Sequence, residues 1–219
     1  MEKKKQNSFL MAAGMLGIFG LWTAALCFVD VQAIGPMDSK VGFATFNQFV
    51  HRLTGVHMTL YTLTDWLGLI PLGFVFGFAL LGLSQWIRRK QLWKVDHSLL
   101  VLGGFYAAVM AAYLFFEAVV INYRPVLIGG ILEASYPSST TMLVLCVMPT
   151  ALMQLRSRLR NGVLKGCLTF AISGFIGFMV MGRLLSGVHW FTDIVGGVLL
   201  SSTLVLMYRF FVQRAPDIP

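Results

Sequence analysis

The chain has 219 residues, of which 57% are hydrophobic and only 12% charged, with a mean hydropathy of +0.76. A soluble domain of this length carries about 25% charged residues, so long stretches here have no solvated face and an ordinary soluble fold is excluded. The net charge of +8 does not point to nucleic acid, because the lysines and arginines stand in short clusters between apolar runs, where anionic lipid headgroups and membrane orientation account for them.

In chain order, the basic start Lys3-Lys4-Lys5 precedes an apolar run from about Phe9 to Val29. That run is long enough to cross roughly 30 Å of hydrocarbon as a helix. It lacks a small-residue cleavage site, so it is read as a retained span. Asp30 to Asp65 is mixed; between Phe43 and Leu60 the apolar residues recur at helical spacing, as in a helix lying in the membrane interface. Further spans are predicted over about Trp66 to Ile87, Leu99 to Val120, Thr141 to Leu155, Leu168 to Leu185 and Phe191 to Tyr208. The expectation is an all-α integral membrane protein of six transmembrane helices in one domain, residues 1–219. Thirteen of the 17 lysines and arginines, Arg214 among them, then fall on the N-terminal side of the membrane, leaving Lys40, Arg52, Arg124 and Arg183 on the other. By the positive-inside rule both termini are cytoplasmic.

Cys27, Cys146 and Cys167 all lie in apolar runs and read as small hydrophobes. Trp66, Trp86, Trp93 and Trp190 stand near span ends, where aromatic-belt anchoring explains them. Asp65 and Asp96 stand where helices are expected to start and read as caps or dipole partners. His51, His57 and His97 are scattered; His57 reaches the outer mouth if the segment before the second span folds over it.

Two of the outer cations lie close to hydrocarbon. Arg124 sits in Asn122-Tyr123-Arg124-Pro125, just past the third span, and Arg183 at the outer end of the fifth. Charges so placed cost several kcal/mol unless paired or solvated, which makes them candidates for a functional site. Tyr136-Pro137-Ser138-Ser139-Thr140 forms a hydroxyl-rich turn into the fourth span, and His189 and Asp193 stand four apart at the start of the sixth. All three patches emerge on one face. Two arginines, a helix N-terminus, hydroxyls and a carboxylate-backed histidine together suit a phosphoryl group. Separately, each has a plainer use: Arg124 as a snorkelling anchor, the hydroxyl turn as an N-cap, and His189 with Asp193 as a helix-start pair.

These residues give the chain its resemblance to the type 2 phosphatidic-acid phosphatase superfamily, whose motifs are Lys-x6-Arg-Pro, Pro-Ser-Gly-His and Ser-Arg-x5-His-x3-Asp. Here the third reads Gly182-Arg183, five residues, His189, three residues, Asp193; the first reads Glu117, six residues, Arg124-Pro125; the second reads Pro137-Ser138-Ser139-Thr140. The resemblance implies that His189 attacks phosphorus and forms a phosphohistidine, with Asp193 orienting its imidazole. It implies that Arg124, Arg183, Ser138 and the backbone amides of Ser139 and Thr140 bind phosphate, with no metal or other cofactor. The partners it implies are a phosphorylated lipid substrate, such as a polyprenyl diphosphate of a bacterial envelope, and membrane lipids, with no nucleic acid. The site would face outward from the plasma membrane.

Two departures from the family pattern bear on the chemistry. Thr140 stands where the family has the histidine that protonates the leaving oxygen, and a hydroxyl does not ionise near neutral pH. Loss of such an acid lowers the rate by roughly 100- to 10,000-fold, and least where phosphate is the leaving group. Glu117 stands where the family has a phosphate-binding lysine. Glu117 is then expected either to supply the missing proton, its carboxyl desolvated at the membrane edge, or to pair with Arg124 or Arg183. The alternative is a degenerate relative that binds or carries phosphorylated lipid without hydrolysing it.

Overall fold

The computed structural model describes residues 2–213, with side chains from residue 8 onward. The side chains of Lys3, Lys4 and Lys5, and the whole of Arg214, lie outside the described residues.

Eight α-helices make up most of the chain: α1 Glu2–Phe28, α2 Ala44–Thr54, α3 Met58–Leu67, α4 Leu69–Arg89, α5 His97–Ala118, α6 Ser139–Arg158, α7 Gly162–Leu185 and α8 Phe191–Val212. A two-stranded antiparallel hairpin, β1 Gln32–Ala33 with β2 Lys40–Val41, follows α1. Each of the six predicted spans coincides with helix, but the second begins earlier than expected. Helices α3 and α4 form one long rod from Met58 to Arg89, interrupted at Gly68. The interruption has a local cause: Pro71 carries no N–H to donate to the carbonyl of Leu67.

Among the described residues, five helical stretches are long and apolar enough to cross a membrane: Ser8–Phe28, Met58–Arg89, His97–Ala118, Gly162–Leu185 and Phe191–Val212. Helix α6 has 20 residues but interrupts its apolar sequence with Thr141, Pro149, Thr150 and Gln154. It can carry these because it is enclosed, packed against α4, α5, α7 and α8. Thr150 Oγ1 donates to the Cys146 carbonyl at 2.8 Å, and Gln154 Nε2 donates to the Tyr208 hydroxyl at 2.6 Å. The lipid-like surface is on the other helices, where Leu21, Phe76 and Phe170 are largely exposed.

Helix α8 is central, touching α1, α2, α5, α6 and α7. Close approach to it depends on glycine. A Cβ on Gly196 would come 2.2 Å from the Tyr136 ring, and one on Gly197 would come 3.2 Å from Thr141. Phe19, Leu102, Phe105, Tyr136, Cys146 and Leu200 fill the core around α8. A second cluster, Val144, Met148, Ile172 and Met179, joins α6 to α7.

The connections sort cleanly between the two ends of the bundle. At one end Asp96 binds Arg89 at 3.0 Å and Arg158 at 3.8 Å, tying the α4–α5 turn to the foot of α6. At the other end segments 29–57, 119–138 and 186–190 fold onto one another. Buried Asn47 donates to the Thr192 hydroxyl at 2.9 Å, Gly42 N to Asn122 Oδ1 at 3.5 Å, and His57 N to the Ser186 carbonyl at 2.9 Å. The mixed stretch after α1 therefore covers the loop that carries His189. Asn47 and His51 make those contacts, whereas the His57 ring is exposed and bonds only to the Thr54 carbonyl of its own turn, at 2.9 Å.

Candidate active site

The site is built on an irregular hairpin between α5 and α6. Gly129 and Gly130, with φ of 58° and 81°, form a two-residue turn closed by the Ile128–Ile131 bridge. Positive φ at both central positions is the turn that matches strand twist, and glycine adopts it without strain. Further along, Tyr123 pairs with Ala134, so the first arm holds two more residues between bridges than the second. Pro125, which cannot donate to a ladder, lies in that excess. Arg124 N then donates to the Glu133 carbonyl at 3.1 Å and Ser135 N to the Asn122 carbonyl at 2.9 Å. This register places Arg124 opposite Glu133 and Asn122 opposite Ser135. Period-2 alternation sends these four side chains toward α7 and α8.

Asp193, fully buried in the first turn of α8, accepts bonds from three residues. Asn122 Nδ2 reaches Oδ1 at 3.1 Å; the Ser135 hydroxyl and Trp190 N reach Oδ2 at 2.5 Å and 2.9 Å. The bond from Trp190 N is the N3 carboxylate returning to the N-cap amide, which fixes the start of α8. Ser138 N also donates to the Asp193 carbonyl at 3.1 Å, locking the α6 and α8 N-termini together.

His189 does not meet Asp193 directly. Its Nδ1 lies 2.9 Å from Ser135 Oγ, and its Nε2 lies 3.2 Å from Arg124 Nη1. The Ser135 hydroxyl has one proton and gives it to Asp193, so its oxygen accepts from His189 Nδ1–H. The imidazole lone pair is thereby directed through Nε2. Burial, and then the charges of Arg124 and Arg183, hold His189 well below its ordinary value near 6.5, so the ring is neutral at physiological pH.

Arg183 is 1% exposed, anchored from α3. Its Nη1 donates to the Tyr61 carbonyl and to Thr64 Oγ1, both at 3.4 Å; its guanidinium sits 4.8 Å from the Tyr61 ring centre; and Asp65 Oδ1 lies 3.8 Å from Nη2. Asp65 is therefore not a helix cap. The helix begins at Met58, which moves Asp65 into the last turn of α3, facing Arg183. Asp96 stands at the N-cap of α5 without a side-chain capping bond; its carboxylate binds the basic residues of the far end instead. Trp190 is likewise no belt anchor. It is 3% exposed and donates through Nε1 to the Tyr123 carbonyl at 2.8 Å, bracing the loop of His189 against the hairpin.

The structure thus joins His189, Asp193 and Arg124 in one bonded chain, with Arg183 close enough to act on His189 by its charge. Ser138 caps α6 with its Oγ buried and without a protein partner, as are Thr141 Oγ1 and Arg183 Nε. Ser139 and Thr140 open α6 and are half-buried. The free amides of that helix end and the unpartnered donors suit an anion with several acceptor oxygens. Glu117 falls outside the chain. It is exposed on α5, interacts with Tyr113 one turn away, and lines a narrow cleft with Ser135 and Ser139. The carboxylate at Arg124 is that of Glu133, with Oε2 3.0 Å from Nε, and the one at Arg183 is that of Asp65, so the expected pairing of Glu117 with either arginine is not formed. The reason is register: the hairpin puts Glu133 across from Arg124 while Glu117 stays on the helix below.

The helical architecture is shared with a solved membrane protein of the PAP2 type. Among solved structures the chain is similar to the crystal structure of the first transmembrane PAP2-type phosphatidylglycerolphosphate phosphatase from Bacillus subtilis. The identity is 18%, the match covers 95% of this chain and 98% of that one, and the TM-score is 0.62. No protein-family model matches the chain, and no curated protein matches its sequence.

Proposed function

We propose that this chain is a six-span membrane phosphatase that hydrolyses a lipid phosphomonoester or diphosphate through a phosphohistidine on His189. The observation that carries the reading is the run of bonds from Arg124 through His189 and Ser135 to Asp193. It holds a neutral imidazole with its Nδ1 proton engaged and its Nε2 lone pair aimed at an arginine. A nucleophile for phosphorus needs that tautomer, and a phosphoryl oxygen needs that arginine.

In this reading, phosphate oxygens take the donors of Arg124 and Arg183, helped by Ser138 and the amides of Ser139 and Thr140 at the α6 terminus. His189 Nε2 attacks phosphorus in line with the leaving oxygen, and the imidazolium formed is stabilised through Ser135 by Asp193. Water then hydrolyses the phosphohistidine. Thr140 cannot protonate the leaving oxygen, so that proton falls to a carboxylate at this end of the bundle, with Glu117 and Glu133 as candidates.

Helix α6 serves as the sixth span: 20 residues rise about 30 Å, and its polar groups are met inside the bundle. Lys40, Arg52, Arg124 and Arg183 belong to the end that holds the site, whereas Arg88, Arg89, Lys94, Arg156 and Arg158 belong to the other. The positive-inside rule then puts both termini in the cytoplasm and the site on the outer face of the plasma membrane. The Bacillus subtilis protein is a phosphatidylglycerolphosphate phosphatase by name, and a phospholipid monophosphate is the first substrate class to try, with a polyprenyl diphosphate second.

The test is phosphate release by the purified chain in detergent from phosphatidylglycerol phosphate, phosphatidic acid and undecaprenyl diphosphate, comparing wild type with His189→Ala. Turnover abolished in the variant, with an acid-labile phosphoenzyme in wild type only, supports the reading. Binding of these lipids with no release would make the chain a binder or carrier instead.

A further inference from the structure

The missing proton donor can be sought in the geometry around Arg124. The guanidinium of Arg124 makes two contacts in two directions: Nη1 lies 3.2 Å from His189 Nε2, and Nε lies 3.0 Å from Glu133 Oε2. The second contact is an ion pair without hydrogen-bond alignment, since Nε has no hydrogen-bond partner. Nucleophile and carboxylate therefore contact the same guanidinium through different nitrogens. In-line displacement asks for that arrangement, with the attacking nitrogen on one side of phosphorus, the leaving oxygen on the other, and the arginine across the equatorial oxygens between them. Glu133 is also accessible: its side chain is 40% exposed while that of Arg124 is 9% exposed, so the carboxylate can leave the guanidinium without leaving the site. Its backbone is held, because the Tyr123–Ala134 bridge and the Arg124 N to Glu133 carbonyl bond fix it across from Arg124.

We propose that Glu133 is the general acid of this site: it gives its proton to the leaving oxygen and afterwards takes one from the hydrolytic water. The proposal rests on the phosphatase reading above. When the substrate phosphate takes over the donors of Arg124, the displaced Glu133 carboxyl faces an anionic ester. The ester enters as its monoanion, and its P–OH proton passes to the displaced carboxylate. Glu133 therefore enters the reaction as the acid. His189 Nε2 forms its bond to phosphorus as the phosphorus–oxygen ester bond breaks; the leaving oxygen takes the Glu133 proton and departs as an alcohol, leaving phosphohistidine and a carboxylate. Water then attacks phosphorus, its proton passes to Glu133, and the electron pair of the phosphorus–nitrogen bond returns to His189. Inorganic phosphate leaves as the monoanion with that proton, and the Glu133 carboxylate pairs with Arg124 again. Glu117 lacks this placement, being exposed on α5 with no ion pair to either arginine.

The experiment uses the purified full-length chain in detergent micelles and two phosphomonoesters of different leaving group. Short-chain phosphatidic acid releases an alkoxide that needs protonation; p-nitrophenyl phosphate releases a stable phenolate that does not. Glu133→Gln is expected to slow the alkyl ester by about 100- to 10,000-fold and the aryl ester by less than about tenfold. The basic limb of the alkyl-ester pH profile should vanish with it, and Glu133→Asp should restore part of the rate. Retained aryl-ester turnover also shows that the variant site is folded. Equal loss on both esters would make Glu133 only a holder of Arg124 and overturn the proposal. No loss, or a leaving-group-dependent loss in Glu117→Gln instead, would overturn it too. Wild type inert on both esters would fail the phosphatase reading itself, an outcome distinct from an active wild type that ignores Glu133.

Discussion

Replacing Ser135 with alanine tests whether His189 is oriented through a hydroxyl. The Ser135 oxygen sits 2.9 Å from His189 Nδ1 and 2.5 Å from Asp193 Oδ2. Ser135→Ala removes the hydroxyl that the imidazole N–H meets, at a cost of about 1–3 kcal/mol. If the penalty is felt in the transition state, where the ring becomes cationic, kcat falls roughly 5- to 150-fold at about 1.4 kcal/mol per decade. KM should hardly move, because Ser135 does not reach toward the phosphate donors. Asp193 keeps Asn122 Nδ2 and Trp190 N, so the fold should survive. Burial and the two arginines hold His189 low, and the influence that raises it comes from the Ser135 backbone, which the alanine keeps. The acid limb of kcat/KM should therefore stay where it is in wild type. Phosphate release at saturating phosphatidic acid, with a thermal melt of each protein, gives both numbers. An unchanged kcat in a folded variant would mean that Asp193 orients His189 without Ser135, and the relay would be refuted.

Further outcomes follow from burial and space. Asn122→Leu removes a buried donor to the Asp193 carboxylate and should destabilise by about 2–3 kcal/mol, read as a melting temperature several degrees lower in detergent. Gly196→Ala places a Cβ 2.2 Å from the Tyr136 ring and should destabilise by about 1–3 kcal/mol. Gly174→Ala, in α7 with no atom within 4 Å of the new Cβ, should be neutral or stabilising by up to about 1 kcal/mol in the same melts. His189, fully buried, has a folded value depressed below its ordinary 6.5, so the unfolded chain binds the proton more readily. Stability should therefore fall as pH drops through 6.5 toward the folded value, and His189→Gln should flatten that slope.

The helices were legible because the bilayer imposes a single strong pattern, and five of the six expected spans satisfy it on length and composition alone. Helix α6 follows a different rule. Wrapped by its neighbours, it meets Thr150 and Gln154 with internal bonds, so its sequence looks less apolar although it is well enclosed. The third motif was legible for a related reason: within one helix start, spacing is geometry, and His189, Asp193 and the N-cap amide of Trp190 are fixed by one turn. What sequence did not give away is the hairpin of 119–138. Gly129-Gly130 between isoleucines marks a two-residue turn, but counting outward from it pairs Arg124 with Ser135. The extra residues around Pro125 shift the register by two, and the actual pairs are Arg124 with Glu133 and Asn122 with Ser135. That shift decides the chemistry. In the unshifted register a hydroxyl would stand across from Arg124; in the real one a carboxylate does, and the hydroxyl falls between His189 and Asp193. Glu117, which the motif spacing singles out, sits on a helix whose rotation leaves it outside. The carboxylate at Arg124 thus comes from across a strand and not from along the helix, nine residues away through a bulge that no periodicity records.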